Sequence, residues 1–344
     1  MSNKLICAIT LFAAVTLQVH AAHAEPAADA LVTESVPAEV SNADSNLGRY
    51  IAKKALAFSE SDIEFSRSRS NAPFLPVAYL GTSYYDDATV REFPSVGNSV
   101  RYQESTASAA GGLPFLLNKT DALVLGFYAS HSQFTLDDSS NFETQKFNVD
   151  TAALGLGYFK QWSEDWQVMG FLLPFYNDNN LDNGAAYWQT MGGIFTRYIA
   201  SDDIWWMFGV FANTSPYDDY WLPYLGVSYT INQEWSISGI MPWPQVIYAP
   251  STDWFFAVGG MISGSGWAID ANEGAASRDI NAFDFGIDFN RRIKGSLWAS
   301  LSAGVGGLRA LQFGDGTELE GPEFDISRSP FIRLNLSIRP GGTF

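Results

Sequence analysis

The sequence has little cysteine, little histidine and little positive charge. Its 344 residues contain one cysteine, Cys7, and three histidines, two of which lie among the first 24 residues. A mature chain that begins at Glu25 therefore has no disulfide, no thiolate nucleophile and no thiolate metal site. Any mechanism that needs an imidazole must use His131. We predict no metal and no cofactor.

The charge balance excludes a class of partners. The chain carries 20 basic and 37 acidic residues, for a formal net charge of −17. Nucleic-acid binding requires a basic surface, and no basic patch interleaved with aromatic residues is present. We therefore expect no nucleic-acid partner.

The first 24 residues have the pattern of a secretory signal peptide. Lys4 precedes the apolar run Leu5–Leu17, and Ala22, His23 and Ala24 form a small-x-small cleavage site. At about 1.5 Å per residue, this run is too short to span a hydrocarbon core of about 30 Å. We expect residues 1–24 to be removed on export.

The rest of the chain lacks any apolar run of the length that a membrane helix needs, at about 20 residues. Aromatic residues nevertheless make up 15% of the sequence, while the mean hydropathy is only −0.03. Alternating apolar and polar residues average out in this way along the strands of a transmembrane barrel. Composition thus favours an exported β-barrel over a helical membrane protein.

We predict that residues 25–72 form a short periplasmic N-terminal extension, which is a disordered linker that contains one short helix. Leu47, Ile51, Ala55 and Phe58 recur at helical spacing, which predicts a helix near 47–58. Such a helix either plugs the periplasmic mouth of a barrel or rests on its rim. The barrel itself is predicted over residues 73–344.

From about residue 73 the apolar period changes to two. The clearest segments are 283–290, 297–306 and 332–339, in which apolar and polar residues alternate. Successive strand side chains point to opposite faces, so one face suits lipid and the other a polar lumen. A soluble β-sandwich also alternates, but its strands are about 5–6 residues long. Many segments here run longer, and Trp and Tyr lie at their ends, as in membrane-interface girdles.

Short turns alternate with longer polar connections, which predicts an all-β, antiparallel up-and-down transmembrane barrel with both termini in the periplasm. One segment is irregular, because Pro242-Trp243-Pro244 lies between arms shorter than the about 9–11 residues of a spanning strand. If this segment tucks into the lumen or lies at the rim, the barrel has 12 strands, the count that we expect. If it forms a short hairpin, the barrel has 14.

Two features resemble known outer-membrane proteins. Phe344 is a terminal aromatic residue after an amphipathic strand, and it looks like the signal read by the barrel assembly machinery. The segment Trp235–Tyr248, with Trp254 after it, resembles an uncharacterised domain-of-unknown-function family of bacterial outer-membrane barrels. The resemblance covers most of the chain from about residue 75. It implies the barrel fold and the outer membrane of a Gram-negative cell, but no activity. Separately, we expect outer-membrane lipid and lipopolysaccharide as partners.

The candidate functional residues are the polar side chains of the last strands. They alternate with apolar residues and should face the lumen, where they would either set solute preference or fill a closed interior. They are Asp284, Asp288, Asn290, Arg292, Arg333, Asn335, Ser337 and Arg339.

We predict a pore or transport protein for small solutes, and not an enzyme. One alternative is an outer-membrane lipid hydrolase that uses His131. Ser132 would not be its nucleophile, because adjacent strand residues point to opposite faces. The other alternative is a structural or surface-binding barrel with a closed lumen.

Overall fold

The computed structural model describes residues 70–73, 76–92, 99–138, 145–182, 184–215, 219–240, 244–271, 274–314 and 324–339. The predicted signal peptide, the predicted helix near 47–58 and Phe344 lie outside the described residues. Among the described residues, no helix has the length and apolar character to cross a membrane.

The described residues form 16 strands. They are β1 (Ala78–Glu92), β2 (Ser99–Leu116), β3 (Asp121–Asp138), β4 (Gln145–Gln161), β5 (Trp166–Asn179), β6 (Gly184–Ala185), β7 (Tyr187–Ile199), β8 (Ile204–Thr214), β9 (Asp219–Thr230), β10 (Trp235–Ser238), β11 (Gln245–Ser251), β12 (Trp254–Ala271), β13 (Gly274–Lys294), β14 (Leu297–Gly314), β15 (Phe324–Ile326) and β16 (Ser329–Ile338).

All but β6 and β15 form one closed antiparallel ring. Each strand pairs with the next in the chain, except that β5 pairs directly with β7, and β14 directly with β16. The ring closes where β16 pairs with β1. The predicted all-β antiparallel barrel is confirmed, with 16 strands less β6 and β15 giving 14 in the ring.

The expected count of 12 strands is wrong, because the irregular segment forms a paired hairpin. β10 pairs with β9 on one side and with β11 on the other, although it spans only 4 residues. Every backbone polar group in lipid needs an internal partner, so even a short arm joins the ladder. The Trp235 and Tyr248 rings reinforce the hairpin at a centroid distance of 4.6 Å.

The short hairpin leaves part of the wall without a ladder. β10 pairs with residues 228–230 of β9, and the Gly239 amide donates to the Val227 carbonyl. Residues 219–226 of β9 have no described partner strand on the side away from β8. Residues 261–267 of β12 likewise have no described partner strand on the side away from β13. We refer to residues 219–226 as the open edge of β9.

The two faces of the barrel wall differ sharply. On β13, Phe285 and Ile287 are 52% and 54% exposed, whereas Asp284 and Asn290 on the other face are 1% and 3% exposed. Exposed large apolar residues likewise occupy the outer face of other strands, as with Leu154 at 76%. Such an apolar exterior on a closed ring requires lipid around it.

The barrel has a short-turn end and a long-loop end. β1 begins and β16 finishes at the short-turn end, where connections such as 117–120 and 162–165 also lie. Asn118 closes the first of these turns, because its Oδ1 accepts hydrogen bonds from the amides of Thr120 and Asp121 at 2.8 Å each. In the β13–β14 turn, Gly295 has a φ of 55°, which favours glycine.

Candidate functional site: the barrel lumen

All eight polar residues singled out in the sequence lie on the inner face of the wall. They occupy β13, β16 and the residue after β16, and β14 separates the two strands. The inner face of β14 carries small residues such as Gly304 and Ser302, so long side chains from its two neighbours can meet across it. We call the inner face of β13 and β16, together with the residue that follows β16, the polar wall. Its members are Asp284, Asp288, Asn290, Arg292, Arg333, Asn335, Ser337 and Arg339.

Asp284 and Arg333 form a buried cluster with Tyr85 of β1. The Tyr85 hydroxyl donates to Asp284 Oδ2 at 2.6 Å, and Arg333 Nη2 donates to the Tyr85 oxygen at 3.0 Å. Arg333 Nη2 lies 3.7 Å from Asp284 Oδ2, and the side chains of Arg333 and Asp284 are 16% and 0% exposed. Since the two charges neutralise each other in this dry position, the cluster joins β1, β13 and β16 rather than offering free charge to a solute.

Two arginines lie at the short-turn end of the polar wall. The Arg339 guanidinium lies 5.2 Å from the Phe255 ring centre and donates to Asn290 Oδ1 at 3.3 Å. The Arg292 guanidinium lies 5.2 Å from the ring centre of Trp298. Burial lowers the pKa of Arg339 to about 10, so it remains a cation at neutral pH. Arg292 Nη1 also lies 3.7 Å from Asp253 Oδ1, so this end of the lumen carries both signs of charge.

Asp288 lies between the two clusters. It is partly exposed and shares the inner face of β13 with Asp284, four positions away. Its cross-strand partner on β14 is Ser302, and the partner of Ser302 on β16 is Arg333. Asp288 is therefore the more exposed of these two inward carboxylates.

The segment before β1 enters the short-turn mouth. The Asn71 amide donates to the Gln233 carbonyl at 2.7 Å, and Asn71 Nδ2 donates to the Ala249 carbonyl at 3.0 Å. Ala72 packs against the inward cluster that contains Phe255 and Trp298. Since β10 and β11 lie well around the ring from β1, residues 70–72 lie across the mouth from the start of β1.

An aromatic face of the lumen was missed by the sequence analysis. Phe171, Phe195, Phe211, Leu222 and Tyr224 lie on the inner faces of β5, β7, β8 and β9, away from the polar wall. Phe195 shares its strand face with Arg197, which is 4% exposed and lies 4.6 Å from the Trp205 ring centre. Because residues two apart on a strand share a face, an inward Arg197 would have indicated that Phe195 also points into the lumen. We call these five residues the aromatic wall.

His131 lies on the outer face of β3. Its Nδ1 is 2.7 Å from Asp150 Oδ1 on β4, and the two side chains are 45% and 57% exposed. Ser132 points inward, where its hydroxyl is 2.8 Å from that of Thr106, as the alternation predicted. Among the described residues, no serine hydroxyl is hydrogen-bonded to His131.

A closed antiparallel ring with an apolar exterior and buried polar residues on its inner face defines a class of protein, the outer-membrane β-barrel. No family model matches the chain, and no curated protein sequence matches it either. Its resemblance to an uncharacterised barrel family therefore remains a prediction.

Among solved structures, the chain is similar to a deltaS2 mutant of the monoaromatic hydrocarbon channel TodX, at 10% identity and a TM-score of 0.44, over 78% of this chain and 91% of that one. It is similar to an outer membrane channel from Pseudomonas putida F1 at 10% identity and a TM-score of 0.41, over 78% and 97% of the two chains. The translocator domain of the autotransporter NalP from Neisseria meningitidis is similar at 8% identity and a TM-score of 0.29, over 86% and 95%. Likenesses this distant carry no functional argument.

Proposed function

We propose that this barrel is an outer-membrane pore that lets small solutes pass. The observation that carries the proposal is the exposure of side chains on the inner face. Phe171 is 37% exposed and Leu222 is 50% exposed, although both point into the barrel. In a barrel filled by its own side chains, as eight-stranded barrels are, such residues would be buried. Space inside the wall therefore supports an open lumen over a filled one.

In this proposal the polar wall sets which solutes pass. Asp288 supplies an accessible negative charge partway along the lumen, and Arg339 supplies positive charge at the short-turn end, which we place in the periplasm. The carboxylate of Asp253 offsets the charge of Arg292. Charged side chains along a pore bias it between cations and anions. Export by a signal peptide and assembly through Phe344 belong to the same proposal, as do the lipid and lipopolysaccharide partners.

Vesicle swelling tests the proposal directly. Residues 25–344, refolded into phospholipid vesicles, should admit arabinose and make the vesicles swell in an isotonic sugar solution. Folding is verified by the heat-dependent electrophoretic shift of β-barrels. Protein that is shown to be folded but gives no swelling above empty vesicles would contradict the pore and support the closed-lumen alternative.

One observation supports the lipid-hydrolase alternative. His131 and Asp150 form a hydrogen-bonded base and carboxylate on the lipid-facing side, which is the arrangement that activates a nucleophile. A phospholipase assay on the purified protein decides the matter, with His131→Ala as the matched variant. Hydrolysis that disappears in the variant would establish the enzyme, and no hydrolysis by the parent protein would remove it.

A further inference from the structure

The aromatic wall is a continuous apolar surface on the inner faces of four neighbouring strands, β5, β7, β8 and β9. The rings of Phe171 and Phe195 are almost parallel, with an interplanar angle of 4° and centroids 5.9 Å apart. Phe211 lies tilted beside Phe171 at 6.4 Å, and Tyr224 meets Phe195 edge-on at 5.0 Å. These contacts fix the rings relative to one another, so the surface is preorganised before any ligand arrives.

Glycines in the wall make room for these rings. A Cβ at Gly193 would lie 2.6 Å from Phe195 Cε2, and one at Gly209 would lie 2.5 Å from Phe195 Cδ1. Real Cβ atoms do not approach so closely, so the Phe195 ring lies in space that a side chain at either glycine would need. Phe195 is only 7% exposed and serves as the base on which the more exposed residues rest.

The chemistry of the surface selects a ligand. Phe171 and Leu222 leave apolar area open to the lumen, which a neutral apolar molecule would cover with a gain in free energy. The Tyr224 hydroxyl makes no hydrogen bond with any described residue, so it can bond to one polar group of a ligand. The nearest inward cation on these strands, Arg197, is already engaged by Trp205 and by Gln167. Nothing here calls for a charged ligand.

The aromatic wall extends to the open edge of β9. Leu222 and Tyr224 belong to this edge, and on the side away from β8 no described strand pairs with it.

We propose that the aromatic wall is a binding site for small neutral aromatic molecules that carry one hydroxyl group. Ring faces stack on Phe171 and Phe211, Leu222 covers an edge, and the Tyr224 hydroxyl pairs with the ligand hydroxyl. The proposal rests on the proposed function only for the ligand's arrival through the lumen. Binding is measured without transport, so either proposal can fail alone.

The probe is 4-fluorophenol, observed by fluorine NMR with refolded residues 25–344 in detergent micelles. Saturable line broadening beyond that of empty micelles is expected. The double variant Phe171→Ala with Phe211→Ala should bind at least tenfold more weakly, and a tenfold loss corresponds to about 1.4 kcal/mol. The control is Phe256→Ala, because Phe256 is 37% exposed like Phe171 but faces outward. It should bind as the parent protein does.

A second variant tests the hydroxyl and leaves the packing unchanged. Tyr224→Phe should weaken 4-fluorophenol severalfold and leave the affinity for fluorobenzene unchanged. If the double variant does not fold, Phe211→Leu, which removes one ring and keeps apolar volume, takes its place with a smaller expected loss. Broadening that does not saturate, or that is equal in the parent protein and the ring variants, would overturn the proposal.

Discussion

Substitution of Asp284 by Ala should destabilise the barrel more than any other single change in the polar wall. Its carboxylate is completely buried and accepts the Tyr85 hydrogen bond at 2.6 Å, while Arg333 lies 3.7 Å away. Without Asp284, the Tyr85 hydroxyl and the Arg333 charge lose their common partner in a nearly dry site. The three strands that the cluster joins then lose a shared contact.

The expected loss in the free energy of unfolding follows from the burial of this cluster. Removal of one partner of a buried ion pair costs about 3–5 kcal/mol, because the other charge is left uncompensated. The Arg333 side chain keeps 16% exposure, so we expect about 3 kcal/mol, the lower end of that range. Tyr85→Phe removes one hydrogen bond to a charged group and should cost about 1.5–3 kcal/mol. The two losses should not add in the double variant, since both act on one cluster.

The assay is reversible unfolding by guanidinium in phospholipid vesicles, followed by tryptophan fluorescence. Asp288→Ala is the matched control, because Asp288 lies on the same strand and the same face but is partly exposed. Its loss should change the free energy of unfolding by less than about 0.5 kcal/mol. Equal losses at the two positions would refute the reasoning from burial.

Three further changes have definite expected outcomes. Gly209→Ala should lower stability and weaken 4-fluorophenol binding, because the added Cβ would lie 2.5 Å from the Phe195 ring. Unfolding titrations measure the stability, and NMR titrations measure the binding. Asp288→Lys should move the reversal potential toward anion preference in a salt gradient, and an unchanged potential would mean that ions do not pass Asp288. Asn71→Ala with Ala72→Glu should speed proteolysis before residue 78, since the side-chain hydrogen bond of Asn71 and the apolar contact of Ala72 are lost. An unchanged cleavage rate would argue against anchoring.

The parts of the fold that follow from local pattern could be predicted from the sequence. Residues 283–290 of β13 and 332–338 of β16 alternate along the strand, and a strand in lipid can satisfy that pattern in only one orientation. The inner positions of Asp284 and Arg333 follow from this alternation. Their burial as one cluster with Tyr85 does not, because Tyr85 is 199 positions away from Asp284 in the chain and only strand order and register bring them together.

Three features lay beyond local pattern. The sequence left the β10–β11 hairpin as the alternative to 12 strands, because its arms are shorter than a spanning strand, although backbone pairing still closes the ring through them. The aromatic wall was missed because inward apolar residues break the polar-inside rule that identified the other strands. The packing of Asn71 and Ala72 in the mouth depends on partners on β11 and in the β9–β10 turn, which no periodicity in the preceding segment indicates.

Single-channel conductance in a planar lipid bilayer tests the central claim, an open lumen, most directly. The refolded chain 25–344 should give discrete conductance steps, and a variant that begins at Pro76 should give larger ones, because it lacks the residues packed in the short-turn mouth. Silence from both proteins, each shown to be folded, would contradict the claim and leave a barrel whose interior is closed.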